Sequence, residues 1–353
     1  MLGEFRIGDI QVGKRHAPFL IAEMSGNHNQ SLERSLEIVE AAAKSGAHAI
    51  KLQTYTADTM TLDHRGEDFI VSSVGEGAWE GKSLYELYQE AHTPWEWHEP
   101  IMARAKELGL LCFSSPFDES AVEFLEALGV PAYKIASFEN VDLPLIKRVA
   151  STGKPVIMST GMATLRELSE AVEAVEAAGC ERLVLLKCTS TYPAKPEEIN
   201  LATLPHMADL FGVPVGLSDH TLGVGVAVAG VALGATVIEK HFTLSRGDGG
   251  VDSTFSMEPA EFRLLVGSTR MAWESVGEIH YGPTDRELSS RDYRRSLYVV
   301  QDMKKGEVFS SENLRSIRPG FGLPPKYLPE LLGKQVRQDI QKGTALNWDL
   351  VLS

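Results

Sequence analysis

VPVGLSDHTLGVGVAVAGVALGATVIEKHFT, residues 213–243, carries the fold in a single unit. Residues 213–220 form a short Val-rich run that ends in Ser218-Asp219-His220, the pattern of a strand buried on both faces. Residues 223–233 then continue in Gly, Ala, Val and Leu without a charge, which reads as a buried helix, and Gly234 supplies its stop. A second β-branched run, 235–243, ends in Glu239-Lys240-His241 and the Phe-Thr that follows. Strand, helix and strand within roughly thirty residues make a βαβ unit, whose two strands pair in parallel.

The same theme extends upstream. Short apolar runs stand at 19–24, 49–54, 110–115, 132–137, 155–160 and 183–189, and helix-period stretches at 31–45, 121–128 and 165–178. Gly46, Gly109, Gly129 and Gly179 read as helix stops. Eight units of this kind predict an α/β fold closed as a (β/α)8 TIM barrel rather than an open sheet. The connection at 55–96 is long and carries Trp79, Tyr85, Tyr88 and Trp95, aromatics that argue against disorder. Charged residues, glycines and Pro283 mark a change near 277–291. The barrel domain is therefore expected over 1–276 and a linker over 277–292. A small β-rich domain follows over 293–353, with strands at 296–300, 314–318 and 343–348 and a turn at Lys304-Lys305-Gly306-Glu307.

Composition narrows the function classes. The chain has 353 residues, 43% hydrophobic and 23% charged, which suits a soluble globular protein. Its net charge is 34 − 48 = −14, which argues against a nucleic-acid partner. From Tyr293 onward there are 10 Lys/Arg against 6 Asp/Glu, so the tail is mildly basic on an acidic body. No apolar run is long enough for a membrane span, and the opening residues lack the pattern of a secretory signal. Cys112, Cys180 and Cys188 have no metal-type spacing, and a reducing cytoplasm is the expected location.

In a (β/α)8 barrel chemistry gathers at the C-terminal strand ends, and the polar residues fall there. They are Glu23 with Ser25, Asn27 and His28; Lys51 and Gln53; Ser114 and Ser115; Lys134, Ser137 and Glu139; and Ser159. The later strands add Lys187, Thr189 and Ser190, then Ser218 to His220 and Glu239 to His241. Lysines in a barrel mouth need an anion or a carboxylate, and three beside Ser and Thr hydroxyls suit a ligand bearing phosphate and carboxylate. His220 and His241, ending consecutive strands, would converge on one divalent metal with Glu23 or Asp252 nearby. Glu139 and Glu23 are candidates for acid–base work. Ser159-Thr160-Gly161 lacks a base with triad logic, which excludes a serine nucleophile. Residue types alone thus reach an aldehyde- or phosphate-handling barrel enzyme, and a metal-dependent sugar aldolase stays open.

The motifs at these ends narrow the field further. Ala22-Glu23-Met24-Ser25-Gly26-Asn27-His28-Asn29, Lys51-Leu52-Gln53-Thr54, Ser114-Ser115-Pro116-Phe117, Tyr133 to Asn140, Ser159-Thr160-Gly161-Met162, Gly216 to Thr221 and Glu239 to Thr243 together resemble the sialic acid synthase family, most closely its pseudaminic acid synthase branch. The tail, with Arg318-Pro319-Gly320, resembles that family's antifreeze-like (SAF, β-clip) domain. The resemblance implies that Lys51, Ser115, Lys134, Ser137, Ser159, Ser190 and Ser218 hold phosphoenolpyruvate. It implies that His220 and His241 bind Mn2+, Mg2+ or Co2+, and that Glu23, Gln53 and Asp252 address an amino-sugar aldehyde. Glu139 would activate the attacking water. Arg318 would reach the sugar from the neighbouring subunit of a domain-swapped homodimer. Met24-Ser25-Gly26, Phe138, Ser190 and Thr93-Pro94-Trp95-Glu96-Trp97 depart from the neuraminate and legionaminate patterns and point to the pseudaminate branch. Those two synthase activities remain the alternatives on the same chemistry.

Overall fold

The computed structural model of the chain describes residues 1, 3–71 and 81–352. Trp79 lies outside them. The chain divides into two units, Met1–Gly277 and Glu278–Ser353.

The first unit opens with a hairpin, β1 (Phe5–Ile7) and β2 (Ile10–Val12), whose Phe5, Ile7 and Val12 are buried. Eight parallel strands follow: β3 (Phe19–Glu23), β4 (Ala49–Thr54), β5 (Leu111–Pro116), β6 (Tyr133–Ile135), β7 (Val156–Ser159), β8 (Leu183–Cys188), β9 (Val215–Ser218) and β10 (Val237–His241). They pair in chain order, and β10 closes onto β3, so the sheet is a closed barrel. All eight expected runs are strands. Their apolar residues are buried on both sides, between the barrel interior and the surrounding helices, as runs without polar alternation require.

The expected helices are present at Leu32–Ser45, Glu119–Leu128, Leu165–Ala177 and Gly225–Ala232. Leu32–Ser45 shows how local chemistry sets the boundaries. Ser31 caps its start by accepting from Arg34 N, and Gly46 ends it at φ 89°. Ala47 N then donates back to Ala42 O at 3.1 Å, the six-to-one bond of a Schellman stop that needs a left-handed residue at Gly46.

The described part of the connection between β4 and β5 is ordered by its aromatics. Trp95 stacks on Phe124 with ring centres 4.6 Å apart and donates to Tyr55 O at 3.2 Å. Tyr88 meets Tyr55 edge-on at 5.6 Å. Tyr85 instead donates its hydroxyl to Asp58 at 3.1 Å.

The second unit has its own core of Leu297, Val299, Met303, Phe309, Leu314, Val336 and Leu346 among others. Strands β11 (Ser296–Val299) and β12 (Leu314–Ile317) pair antiparallel, and Glu307 N donates to Lys304 O across the expected turn at Gly306. The expected strand at 343–348 is not one. It contributes a single bridge, Tyr298 to Ala345, because Gly343 is left-handed at φ 88° and Asn347 caps a 3-10 turn at Trp348–Leu350.

Candidate active site

Parallel register places the polar residues of the barrel mouth side by side. Glu23 on β3 lies level with His241 on β10 and with Lys51 on β4, and Glu239 lies level with Ser218 on β9. Lys51 and Lys134 are 3% and 2% exposed, so each ammonium needs a partner. Lys51 Nζ pairs with Glu23 Oε2 and donates to Ser115 Oγ at 3.3 Å. Lys134 Nζ donates to Ser159 Oγ at 2.7 Å.

Between the two lysines stands a carboxylate to which the sequence reading assigned no role. Glu239 Oε1 lies 3.6 Å from Lys134 Nζ and 3.8 Å from Lys51 Nζ, and it accepts from Ser218 Oγ at 3.3 Å. Burial alone would raise the Glu239 pKa, but Lys134 and Lys51 hold it below the usual carboxylate range. Its negative charge lets two like charges share one buried pocket. The available signal was spacing: Glu239 and His241 are alternate strand residues and share a face. Lys240 between them points the other way, to Asp219 at 2.9 Å and the carbonyl of Thr221 at 2.6 Å.

The third expected lysine does not join. Lys187 sits on the opposite face of β8 from its neighbour Cys188, and its Nζ donates to Cys188 O at 2.9 Å and Thr189 Oγ1 at 3.3 Å. It lines a separate cavity of about 710 Å3 with Thr203, His206 and Phe211. The anion pocket therefore has two lysines.

Ser137 and Ser190 converge on Gly161. Ser137 Oγ accepts from Gly161 N at 3.2 Å, and Asn140 Nδ2 donates to Gly161 O at 3.0 Å. A Cβ at Gly161 would meet Ser190 Oγ at 2.2 Å and Ser137 Oγ at 2.6 Å, so only glycine leaves room for both hydroxyls.

The two histidines face each other, with ring centres 5.3 Å apart, against Tyr192 and Phe255. His220 Nδ1 donates to Thr189 O at 2.9 Å, which leaves Nε2 to carry the lone pair once the ring is deprotonated. Burial would lower the His220 pKa, but Cys188 and the Thr189 carbonyl hold it above its usual value. His241 Nδ1 is buried, has no hydrogen-bond partner and lies 3.6 Å from Asp252 Oδ2. Burial, with His220 beside it, holds the His241 pKa well below its usual value, so the ring is neutral. Among the described residues no three His, Cys, Asp or Glu side chains are gathered at metal-ligand spacing. The pair nonetheless fits a divalent ion. Each imidazole offers a nitrogen, that of His241 a buried orphan and that of His220 once its proton is displaced, with a carboxylate at hand.

Three further carboxyl groups differ in environment. Burial, opposed by Lys51, pushes Glu23 up to about 7. Glu139 is also raised to about 7, by burial and against the pull of Lys134, and its Oε2 is buried without a hydrogen bond. Asp252 is tied to Ser25, whose hydroxyl donates to Oδ2. Gln53 Nε2 donates to Glu23 Oε1 at 3.0 Å and to Ser25 Oγ at 3.2 Å, so Glu23, Gln53, Ser25 and Asp252 form one chain of bonds. Arg318 belongs to the second unit, where it follows β12 and is exposed.

Comparison with known proteins follows the same division. The NeuB family model matches residues 38–281, and the SAF domain model matches residues 294–352. A pseudaminic acid synthase of Campylobacter jejuni is 47% identical over 97% of this chain and 98% of its own length. An N,N'-diacetyllegionaminic acid synthase of Legionella pneumophila is 38% identical over 94% of each. Among solved structures, an N-acetylneuraminic acid synthetase of Leptospira borgpetersenii, crystallised with citrate, superposes with a TM-score of 0.72. It is 29% identical and covers 81% of this chain and 94% of that one.

Proposed function

This chain belongs to the NeuB family, and we propose that within it the chain acts as a pseudaminic acid synthase. It condenses phosphoenolpyruvate with 2,4-diacetamido-2,4,6-trideoxy-L-altrose and water to give pseudaminic acid and phosphate. The observation that carries this reading is the buried pair Lys51 and Lys134, ringed by Ser115, Ser159 and Ser218, beside a second polar cluster of Glu23, Gln53 and Asp252. One half is built for a small dianion and the other for a polyhydroxylated, amide-bearing partner. The greater identity to the C. jejuni pseudaminate enzyme than to the L. pneumophila legionaminate enzyme supports the choice of sugar.

The residues divide the work as follows. Lys51, Lys134 and the serines hold the phosphate and carboxylate of phosphoenolpyruvate, and Ser137 and Ser190 close that pocket around Gly161. The methylene carbon forms a bond to the sugar's aldehyde carbon, and the two lysines stabilise the anionic groups as cationic character develops at the enol carbon. Glu139, ionised above about pH 7, takes a proton from the water that adds to that carbon. The resulting hemiketal phosphate expels inorganic phosphate by carbon–oxygen cleavage, and the new ketone is the C2 carbonyl of the product. Glu23, raised to about 7, supplies the proton that the aldehyde oxygen gains as it becomes a hydroxyl. His220 and His241 would hold a divalent cation, Mn2+, Mg2+ or Co2+, which when bound supplies Lewis-acid polarisation of a carbonyl.

We assign Arg318 to the sugar site of a second copy in a domain-swapped homodimer, because a planar guanidinium can hold a carbonyl or carboxylate in fixed orientation. Phosphate release from phosphoenolpyruvate, measured with each candidate amino sugar and with and without chelator, tests the assignment. Release with the altrose-configured sugar supports it. Release only with N-acetylmannosamine, or none with any sugar, rejects it.

A further inference from the structure

Ser25 is an unusual residue for its backbone. It holds φ 47°, a left-handed conformation that glycine adopts freely and serine rarely. Asn29 at φ 50° and Gln30 at φ 54° share the same short loop, so three of the non-glycine residues with positive φ follow directly on Glu23. Strain of this kind persists where the surroundings over-determine it, and it gathers at functional sites.

The surroundings here are explicit. Asn27 Nδ2 donates to Phe242 O at 3.0 Å and Ser256 Oγ at 2.9 Å, and Ser256 Oγ donates to Asp252 O at 2.6 Å. A Cβ on Gly26 would strike Val251 at 2.3 Å. Thr93 Oγ1 meets His28 Nε2 at 3.2 Å, and Trp97 packs edge-on against the His28 ring. The loop is therefore wedged between the segment that carries Asp252 and the connection that follows β4.

What the strained serine contributes is one hydroxyl with two partners and a backbone N–H with a third. Its only proton goes to Asp252 Oδ2, and its lone pairs accept from Gln53 Nε2. Its backbone N–H donates to Glu23 Oε1 at 3.2 Å. Gln53 thus has its amide nitrogen committed to Glu23 and Ser25, and the carbonyl oxygen becomes its ligand-facing end. Asp252 has one oxygen committed, and the other becomes its ligand-facing end. Both free ends accept hydrogen bonds and neither donates.

We propose that Ser25 is a positioning residue of the sugar site, whose hydroxyl fixes Gln53 and Asp252 as paired acceptors for the N–H and O–H donors of a diacetamido sugar. The inference rests on the function proposed above and adds what holds two acceptors of its sugar site in place. A site built to accept from an N–H discriminates against a sugar that lacks that donor, since its acceptors are then left unpaired.

The test uses two substitutions that remove the same hydroxyl and treat the backbone differently. Ser25→Gly relieves the positive φ, whereas Ser25→Ala retains it. Both are expected to raise KM for the diacetamido sugar about tenfold, the loss of one or two hydrogen bonds, while KM for phosphoenolpyruvate stays within about twofold. Only Ser25→Ala should lower the melting temperature. Unchanged sugar KM in both variants, or sugar and phosphoenolpyruvate KM rising together, overturns the inference. If wild-type enzyme does not turn over the diacetamido sugar, the proposed function fails instead. Crystal structures of the wild type and Ser25→Gly then decide this point alone, since a Gln53 amide and an Asp252 carboxylate that keep their places without the hydroxyl overturn it.

Discussion

Nζ of Lys134 lies 3.6 Å from Oε1 of Glu239, with both residues almost wholly buried. A buried pair of this kind is costly to break from one side, because the remaining charge is left without a partner.

Glu239→Gln should therefore destabilise the protein by roughly 3–5 kcal/mol. Phosphoenolpyruvate should raise the melting temperature of this variant by more than it raises that of the wild type, because the ligand's anionic groups replace the lost carboxylate. Lys51→Ala and Lys134→Ala should act in the opposite sense on the ligand and weaken phosphoenolpyruvate binding about ten- to a hundredfold. Thermal shift against ligand concentration measures all three. Equal shifts in Glu239→Gln and the wild type would remove Glu239 from the anion pocket.

His220→Ala or His241→Ala should abolish turnover, and exhaustive EDTA treatment should silence the wild type until Mn2+ or Mg2+ is restored. Elemental analysis of the protein before and after chelation provides a readout besides activity. About one bound ion per chain is expected in the wild type, with loss in either variant. Full activity with no detectable metal would contradict the assignment of the histidine pair.

Glu139 is raised to about 7, and its proposed work requires the ionised form. That form is lost as pH falls through about 7, so kcat/KM should drop by roughly tenfold per pH unit on the acid side. Glu139→Gln should retain little activity, and the residue should be flat across this window. Glu23 titrates in the same range, also near 7. An acid limb that survives in Glu139→Gln and disappears in Glu23→Gln would exchange the two roles.

Arg318→Ala subunits should fold and dimerise but turn over substrate at least about a hundredfold more slowly, the effect of losing a charge-assisted contact to a bound ligand. Mixing them with His241→Ala subunits should restore activity, since a hybrid dimer contains one site with both residues intact. A mixture that stays inactive while mass spectrometry shows subunit exchange would exclude service between subunits.

The barrel was legible in the sequence because strands buried on both faces appear as unbroken apolar runs, and Gly46, Gly109, Gly129, Gly179 and Gly234 mark the helix ends by taking positive φ. The hairpin at Phe5–Val12 was missed although its alternation around Gly8-Asp9 is a readable signal. The strand expected at 343–348 failed because short tail segments are set by contacts such as Leu346 N to Leu297 O, which no local pattern records. In the site, residue type located Lys51, Lys134, His220 and His241. Type could not separate Lys134 from Lys187, since the face a lysine occupies depends on strand register. Glu239 and Ser25 were quoted within their motifs, but their partners come from distant segments, so their importance emerges only in three dimensions.

The central claim is that the anion pocket and the acceptor-lined sugar site serve one condensation on a diacetamido sugar. Inorganic phosphate release from phosphoenolpyruvate, followed with purified, metal-replete protein at equal concentrations of the two sugars, tests it most directly. The expected result is release with 2,4-diacetamido-2,4,6-trideoxy-L-altrose at a kcat/KM at least about a hundredfold above that with N-acetylmannosamine, in keeping with discrimination by unpaired acceptors. Equal or faster release with N-acetylmannosamine would contradict it.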